Sequence, residues 1–184
     1  MAINHGFDDE NLGQRMQAVV AVPVASAVPT ASFSRPADTT AYAAGDLVAN
    51  STTAGSVVPM ELACARRPGG TGQVVRVRLR KSGAVLNNAS FRVHFYRTAP
   101  TVSNGDNGAW LTNGALTYLG AFDITMDRAF TDGATGTGVP LTGPVMVFAA
   151  DAASASLFAL IEARAAYTPA SGETFTVAVE TVRD

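Results

Sequence analysis

Few residues in this chain have side chains able to make or break a bond. It contains two histidines, His5 and His94, and one cysteine, Cys64. A catalytic histidine needs an orienting acid and a nucleophile within hydrogen-bond reach. No G-x-S-x-G, H-E-x-x-H or C-x-x-C pattern supplies that company. His5 lies near Asp8, Asp9 and Glu10, but no second histidine completes a ligand set, and terminal segments seldom hold a metal. That stretch reads as a solvated arm or short helix, with a tether onto a neighbouring subunit left open. Cys64 alternates with Met60 and Leu62 in MELACAR, as a buried core thiol would, and a lone cysteine excludes an intrachain disulfide. The expectation is a non-enzymatic protein with no catalytic residue, no metal and no cofactor.

Three loops invite a ligand and fail on local grounds. Glycines cradle phosphate where the loop opens a helix whose amides face the anion. Gly69–Gly72 runs instead into a strand pattern, and Gly133–Gly138 (GATGTG) runs into Val139-Pro140 within a long loop, Asp127–Gly143. Ser103–Gly108 (SNGDNG) is rich in oxygen ligands but lacks the glutamate of a calcium loop, so it reads as a turn cluster. Trp110, just beyond it, is expected to plug the core edge. With Asn104, Asp106 and Asn107 it is also the one candidate cluster for a sugar site.

The elements that position these residues centre on Val74–Trp110. In the first strand Val75, Val77 and Leu79 point one way and Arg76, Arg78 and Arg80 the other. In the second, Phe91, Val93 and Phe95 point inward and Arg92, His94 and Tyr96 outward. If both strands share a sheet, Arg76, Arg78, Arg80, Arg92, His94 and Tyr96 form one basic, partly aromatic face, the candidate protein interface. Three uses compete for it: a solvated face, an interface to an acidic protein surface, and polyanion binding.

The chain has 184 residues, enough for one well-buried core and short for two. Seventeen glycines and nine prolines among many small and β-branched residues predict short strands joined by turns. Strands are expected near residues 24, 45, 62, 77, 93, 121, 147, 161 and 177. The last two are expected to form a hairpin across Thr168–Gly172. Pro23 and Pro29 make Val19–Ser34 an edge strand or strap. The fold class is therefore all-β: an antiparallel β-sandwich, jelly-roll-like, with residues 1–32 as an extended N-terminal arm and 33–184 as a single domain. A net charge of −2 offers no global attraction to nucleic acid or anionic lipid. No apolar run approaches the about 20 residues of a membrane span. Ala18–Ala27 has the look of a short signal core, but acidic residues precede it and Pro23 interrupts it, so a cytoplasmic origin is expected.

Three segments carry a resemblance. Ser34–Ser51 (SRPADTTAYAAGDLVANS), Phe91–Trp110 (FRVHFYRTAPTVSNGDNGAW) and the ending LFALIEARAAYTPASGETFTVAVE occur in that order. Each resembles a signature of small structural proteins of tailed bacteriophages, and together they make up about a third of the chain. The resemblance implies a virion protein made in the host cytoplasm, most plausibly a head decoration or cement protein on the outer capsid surface. Its implied partners are the major capsid protein and two further copies in a homo-trimer, with no nucleic acid and no membrane. It brings no active site. The alternative is a carbohydrate- or receptor-binding module of a tail or fibre.

Overall fold

A computed structural model describes residues 25–184. In chain order its strands are β1 (Ala25–Ala27), β2 (Thr30–Ser34), β3 (Leu47–Val48), β4 (Met60–Leu62), β5 (Thr71–Lys81) and β6 (Ser90–Tyr96). They continue as β7 (Tyr118–Thr125), β8 (Arg128–Phe130), β9 (Gly133–Gly138), β10 (Met146–Ala149), β11 (Leu157–Ala163) and β12 (Thr174–Arg183). Two antiparallel sheets pack face to face as a β-sandwich. In the first, β1 and β2 lie end to end along β12, then comes β5, then β9 and β10 end to end along β5, with β8 outside β9. In the second, β3 and β4 lie along β11, followed by β6 and β7.

The pairings are nested. Outermost β2 meets β12, β4 meets β11, β5 meets β9 and β10, and β6 meets β7 at the centre. Most consecutive strands therefore lie in opposite sheets. Each has one apolar side, and crossing between sheets lets successive apolar sides face each other across a single core. Phe91, Val93 and Phe95 of the second sheet meet Val77, Leu79, Phe175 and Val177 of the first. Phe91 stands edge-on to Phe175 at 5.3 Å, one of the offset geometries aromatic rings prefer.

This arrangement corrects two expectations. β5 and β6 are in different sheets, so their outward residues do not share a face. β11 and β12 are likewise separated rather than forming a hairpin. Alternation shows which side of a strand is apolar, not which strand lies beside it.

Two further differences are local. Along β5, Glu180 of β12 opposes Arg76 while Thr181 opposes Val74, which leaves Val75 as the extra residue of a β-bulge. Val75, expected inside, is 39% exposed, and Val74 takes the buried place. Gly133–Gly138, expected as loop, is β9. A side chain at Gly136 or Gly138 would strike the backbone of Thr125 or Asp123, so glycine is what lets β9 lie against β7.

The extended reading of Val19–Ser34 fits β1 and β2, which edge the first sheet from Ala25 onward. The readings for His5, Asp8, Asp9 and Glu10 and the signal-like start at Ala18 lie outside the described residues. Among the described residues no helix is long and apolar enough to cross a membrane.

Candidate interaction surface and the buried polar networks

The six expected interface residues fall into three places. Arg76, Arg78 and Arg80 stand half-exposed in a row on the outer face of the first sheet. Arg76 donates from Nε (2.9 Å) and Nη2 (2.6 Å) to Oε2 of Glu180, and Arg78 reaches Oε1 of the same carboxylate at 3.2 Å. Arg76 first, then Arg78, hold the Glu180 carboxyl below its usual range. Arg80 donates to the carbonyl and carboxylate of Asp132 at 2.7 and 2.9 Å. Small residues flank the row: Thr176 and Thr135 oppose Arg80, while Ala178 and Thr137 oppose Arg78. Arg128 shares the row of Thr135. Three of these arginines thus share two carboxylates, Glu180 and Asp132.

The bulge adds an apolar end. Val75 is turned out beside Val28, and the two line a shallow groove of about 370 Å³ with Ser26, Ala27 and Val182. Val147, one strand over on the same face, is 67% exposed.

Arg92 is on the opposite side of the molecule, on the outer face of the second sheet. It is bound two-pronged to Asp123 at 2.6 and 2.7 Å, and it lies directly across from Glu162. His94 and Tyr96, one and two rows further along, are turned outward as expected but are 7% and 3% exposed. The segment 97–117 lies over them. Trp110 stacks on the His94 ring at 4.1 Å, and Thr112 meets the Tyr96 hydroxyl at 3.2 Å. Neither ring is available to a partner. A neutral His94 meets both neighbours by donating from Nε2 to Glu162 (2.9 Å) and accepting the Tyr118 hydroxyl at Nδ1 (3.3 Å). Burial pushes its pKa down, and the Glu162 carboxylate only partly opposes that. Trp110 joins Leu47, Tyr96, Val102 and Leu160 in a small second core, in keeping with its expected role at the core edge.

Sequence reasoning missed two buried charge networks. In the first, Oδ1 of Asp106 accepts from the Tyr42 hydroxyl (2.7 Å) and the Ala49 amide (2.8 Å), while Oδ2 accepts from Arg35 (2.9 Å). Arg35 also donates to Tyr42 at 2.8 Å. Burial raises the Asp106 pKa against the pull of these donors, and it pushes the Tyr42 phenol well up. In the second, Lys81 reaches Glu173 at 3.3 Å, and the Tyr167 hydroxyl donates to the same carboxylate at 2.7 Å. Burial lowers the Lys81 pKa against the pull of Glu173. The backbone joins the networks, since the Tyr42 amide donates to the Tyr167 carbonyl at 2.9 Å.

The three resembling segments therefore converge inside the molecule. Arg35 and Tyr42 come from the first, Asp106 from the second, Tyr167 and Glu173 from the third. Asp106 of SNGDNG is turned inward with both oxygens occupied, which removes it from any sugar- or cation-facing cluster with Asn104, Asn107 and Trp110. Gly105 sits against the backbone of Thr52, where no side chain fits. The one signal for these networks was the presence of charged residues inside segments otherwise rich in turn formers.

Cys64 is buried, and burial pushes its thiol up to about 12. Such a thiol is inert at neutral pH. Among the described residues no group of three His, Cys, Asp or Glu side chains is placed to hold a metal ion. No protein-family model matches the chain, and comparison with curated proteins finds no significant relative.

Proposed function

We propose that this chain is a non-enzymatic structural protein of a virion: a decoration or cement protein that binds the outer capsid surface and stabilises the joints between capsomers. The observation that carries the proposal is the outer face of the first sheet, where an arginine row and exposed valines lie side by side without a covering segment among the described residues. Arginine beside apolar side chains is the composition of protein interfaces. The resemblance of the three ordered segments supplies the partner, the major capsid protein, and the homo-trimeric state. We also read the nested strand order as a jelly roll, an architecture common in virion proteins and shared with lectins and cupins, so it supports the reading without deciding it.

Attachment in this reading comes from buried area, on the order of 1,600 Å² for a specific interface. The arginines supply orientation and steer encounter. The test is to mix purified protein with undecorated capsids and image the particles. Regular added density at capsomer joints is the expected result; bare shells at every salt concentration would refute the proposal. The alternative of a carbohydrate-binding module keeps only Trp110, already stacked on His94. A glycan array on which wild type binds and Trp110→Ala does not would revive it.

A further inference from the structure

We propose that Lys81 and Glu173 react within the folded chain to form an amide bond between Nζ and Cδ, a covalent cross-link from the end of β5 to the start of β12. The inference goes beyond the capsid reading and does not depend on it.

The choice of residue is the first support. Of the thirteen lysines and arginines in the chain, Lys81 is the only lysine, and its side chain is fully buried. A guanidinium, which the chain uses at every other such position, would serve an ion pair equally well. It stays protonated and attacks nothing, whereas a buried ammonium can give up its proton and become a nucleophile. Burial moves Lys81 in that direction, against the pull of Glu173.

The second support is geometry. Nζ lies 3.3 Å from Oε1 of Glu173, and neither side chain is exposed. Strand register holds them there, since Lys81 pairs with Phe175 and the Ser82 amide donates to the Thr174 carbonyl at 2.9 Å. Gly83 touches both reactants: its carbonyl accepts from Nζ at 2.7 Å and its amide donates to Oε1 at 3.0 Å. A side chain at Gly83 would strike Oε1, so only glycine lets the backbone come this close. The Tyr167 hydroxyl meets Oε2 at 2.7 Å and Oε1 at 2.9 Å, and its ring lies 5.0 Å from Nζ.

Each contact has a part in the reaction. One proton passes from the ammonium to the carboxylate, which discharges an ion pair held away from water. The freed lone pair of Nζ attacks Cδ, and the Gly83 amide holds Oε1 as negative charge builds there. Nζ loses a second proton, the Cδ–Oε2 bond breaks, and Oε2 leaves with both protons as water, supported by the Tyr167 hydroxyl. No oxidant or further reactant is needed. In the product the amide N–H keeps the Gly83 carbonyl, and the amide oxygen keeps the Gly83 amide and Tyr167, so no buried polar group is stranded. Holding amine and carboxyl in contact makes the condensation unimolecular, with effective concentrations on the order of 10⁵–10⁸ M for well-oriented groups. The bond closes β6 to β11 into a covalent ring. It restricts the unfolded chain as a disulfide would, in a chain whose single cysteine can form none.

The test is the mass of the intact full-length protein, purified folded and incubated until its mass is constant. Wild type is expected one water below the mass its sequence requires, and Lys81→Arg at its full sequence mass. Trypsin should release from wild type one species joining residues 81–92 to residues 165–183, and Lys81→Arg should lack it. Wild type at its full sequence mass would overturn the proposal. So would the same loss of water in Lys81→Arg, or a joined species that lacks Lys81 or Glu173. The deciding measurements are made on wild type, so they hold even where the variant fails to fold. No capsid is present, so failure of the capsid reading leaves this result untouched.

Discussion

Arg35 and Arg76 both pair with a carboxylate at hydrogen-bond distance, yet the two pairs do different things. Arg35 is held with Asp106, Tyr42 and the Ala49 amide where no water reaches, and it joins two loops far apart in sequence. Arg76 meets Glu180 on an open sheet face. In the interior, removing Asp106 leaves Arg35 only Asp38 at the margin of the site and leaves the Tyr42 hydroxyl and Ala49 amide without their acceptor, a cost of about 3–5 kcal/mol. At the surface water replaces the lost partner, and exposed pairs are worth about 0–1 kcal/mol. One arginine builds the molecule; the other contributes little to it, and in the reading proposed above it meets the partner.

Breaking the interior side of the comparison should have the largest effect. Asp106→Ala should lower stability by about 3–5 kcal/mol in urea unfolding, because Arg35 and Tyr42 lose their shared acceptor together. Next comes the covering of the second sheet. Trp110→Ala uncovers His94 and should cost about 2–3 kcal/mol, less than a fully buried aromatic. It should also let the His94 pKa rise toward its ordinary value, measured by NMR titration. Gly136→Ala presses a methyl group onto the Thr125 backbone and should cost about 1–3 kcal/mol.

His94 also gives a pH test. Its folded pKa is depressed, so below the ordinary histidine value of about 6.5 the unfolded chain takes up protons that the folded one refuses. Its contribution to stability is present above that value and is lost as pH falls from there toward the folded pKa. A His94→Gln variant should lack that component of the slope in unfolding experiments at stepped pH. The smallest stability effect is expected on the open face, where Arg76→Gln/Arg78→Gln should change the unfolding free energy by less than about 0.5 kcal/mol.

Strand positions were legible because period-two alternation is strong in RVRLRK and SFRVHFY, and the predicted sidedness of β6 holds at every position. Neighbours were not legible, since a strand with one apolar side can meet its counterpart beside it or across the core. The bulge at Val75 was hidden because VVRV alternates equally well with either valine inward. GATGTG looked like a loop because glycine has no strand preference of its own; its place is set by the closeness of β7. The buried networks were hardest to see. Arg35, Asp106 and Glu173 stand among turn residues, where charge normally signals solvent, and only the fold brings them together. The resembling segments thus mark the interior frame of the sandwich, while the open arginine face lies mainly on β5, outside all three.

The central claim is that buried charge holds this fold and the exposed row binds a partner. Its most direct test measures both properties on Arg76→Glu/Arg78→Glu: unfolding midpoint, and occupancy on undecorated capsids by co-sedimentation. The prediction is an unfolding midpoint near that of wild type with occupancy sharply reduced. Undiminished occupancy, or a loss of stability comparable to that of Asp106→Ala, would contradict it.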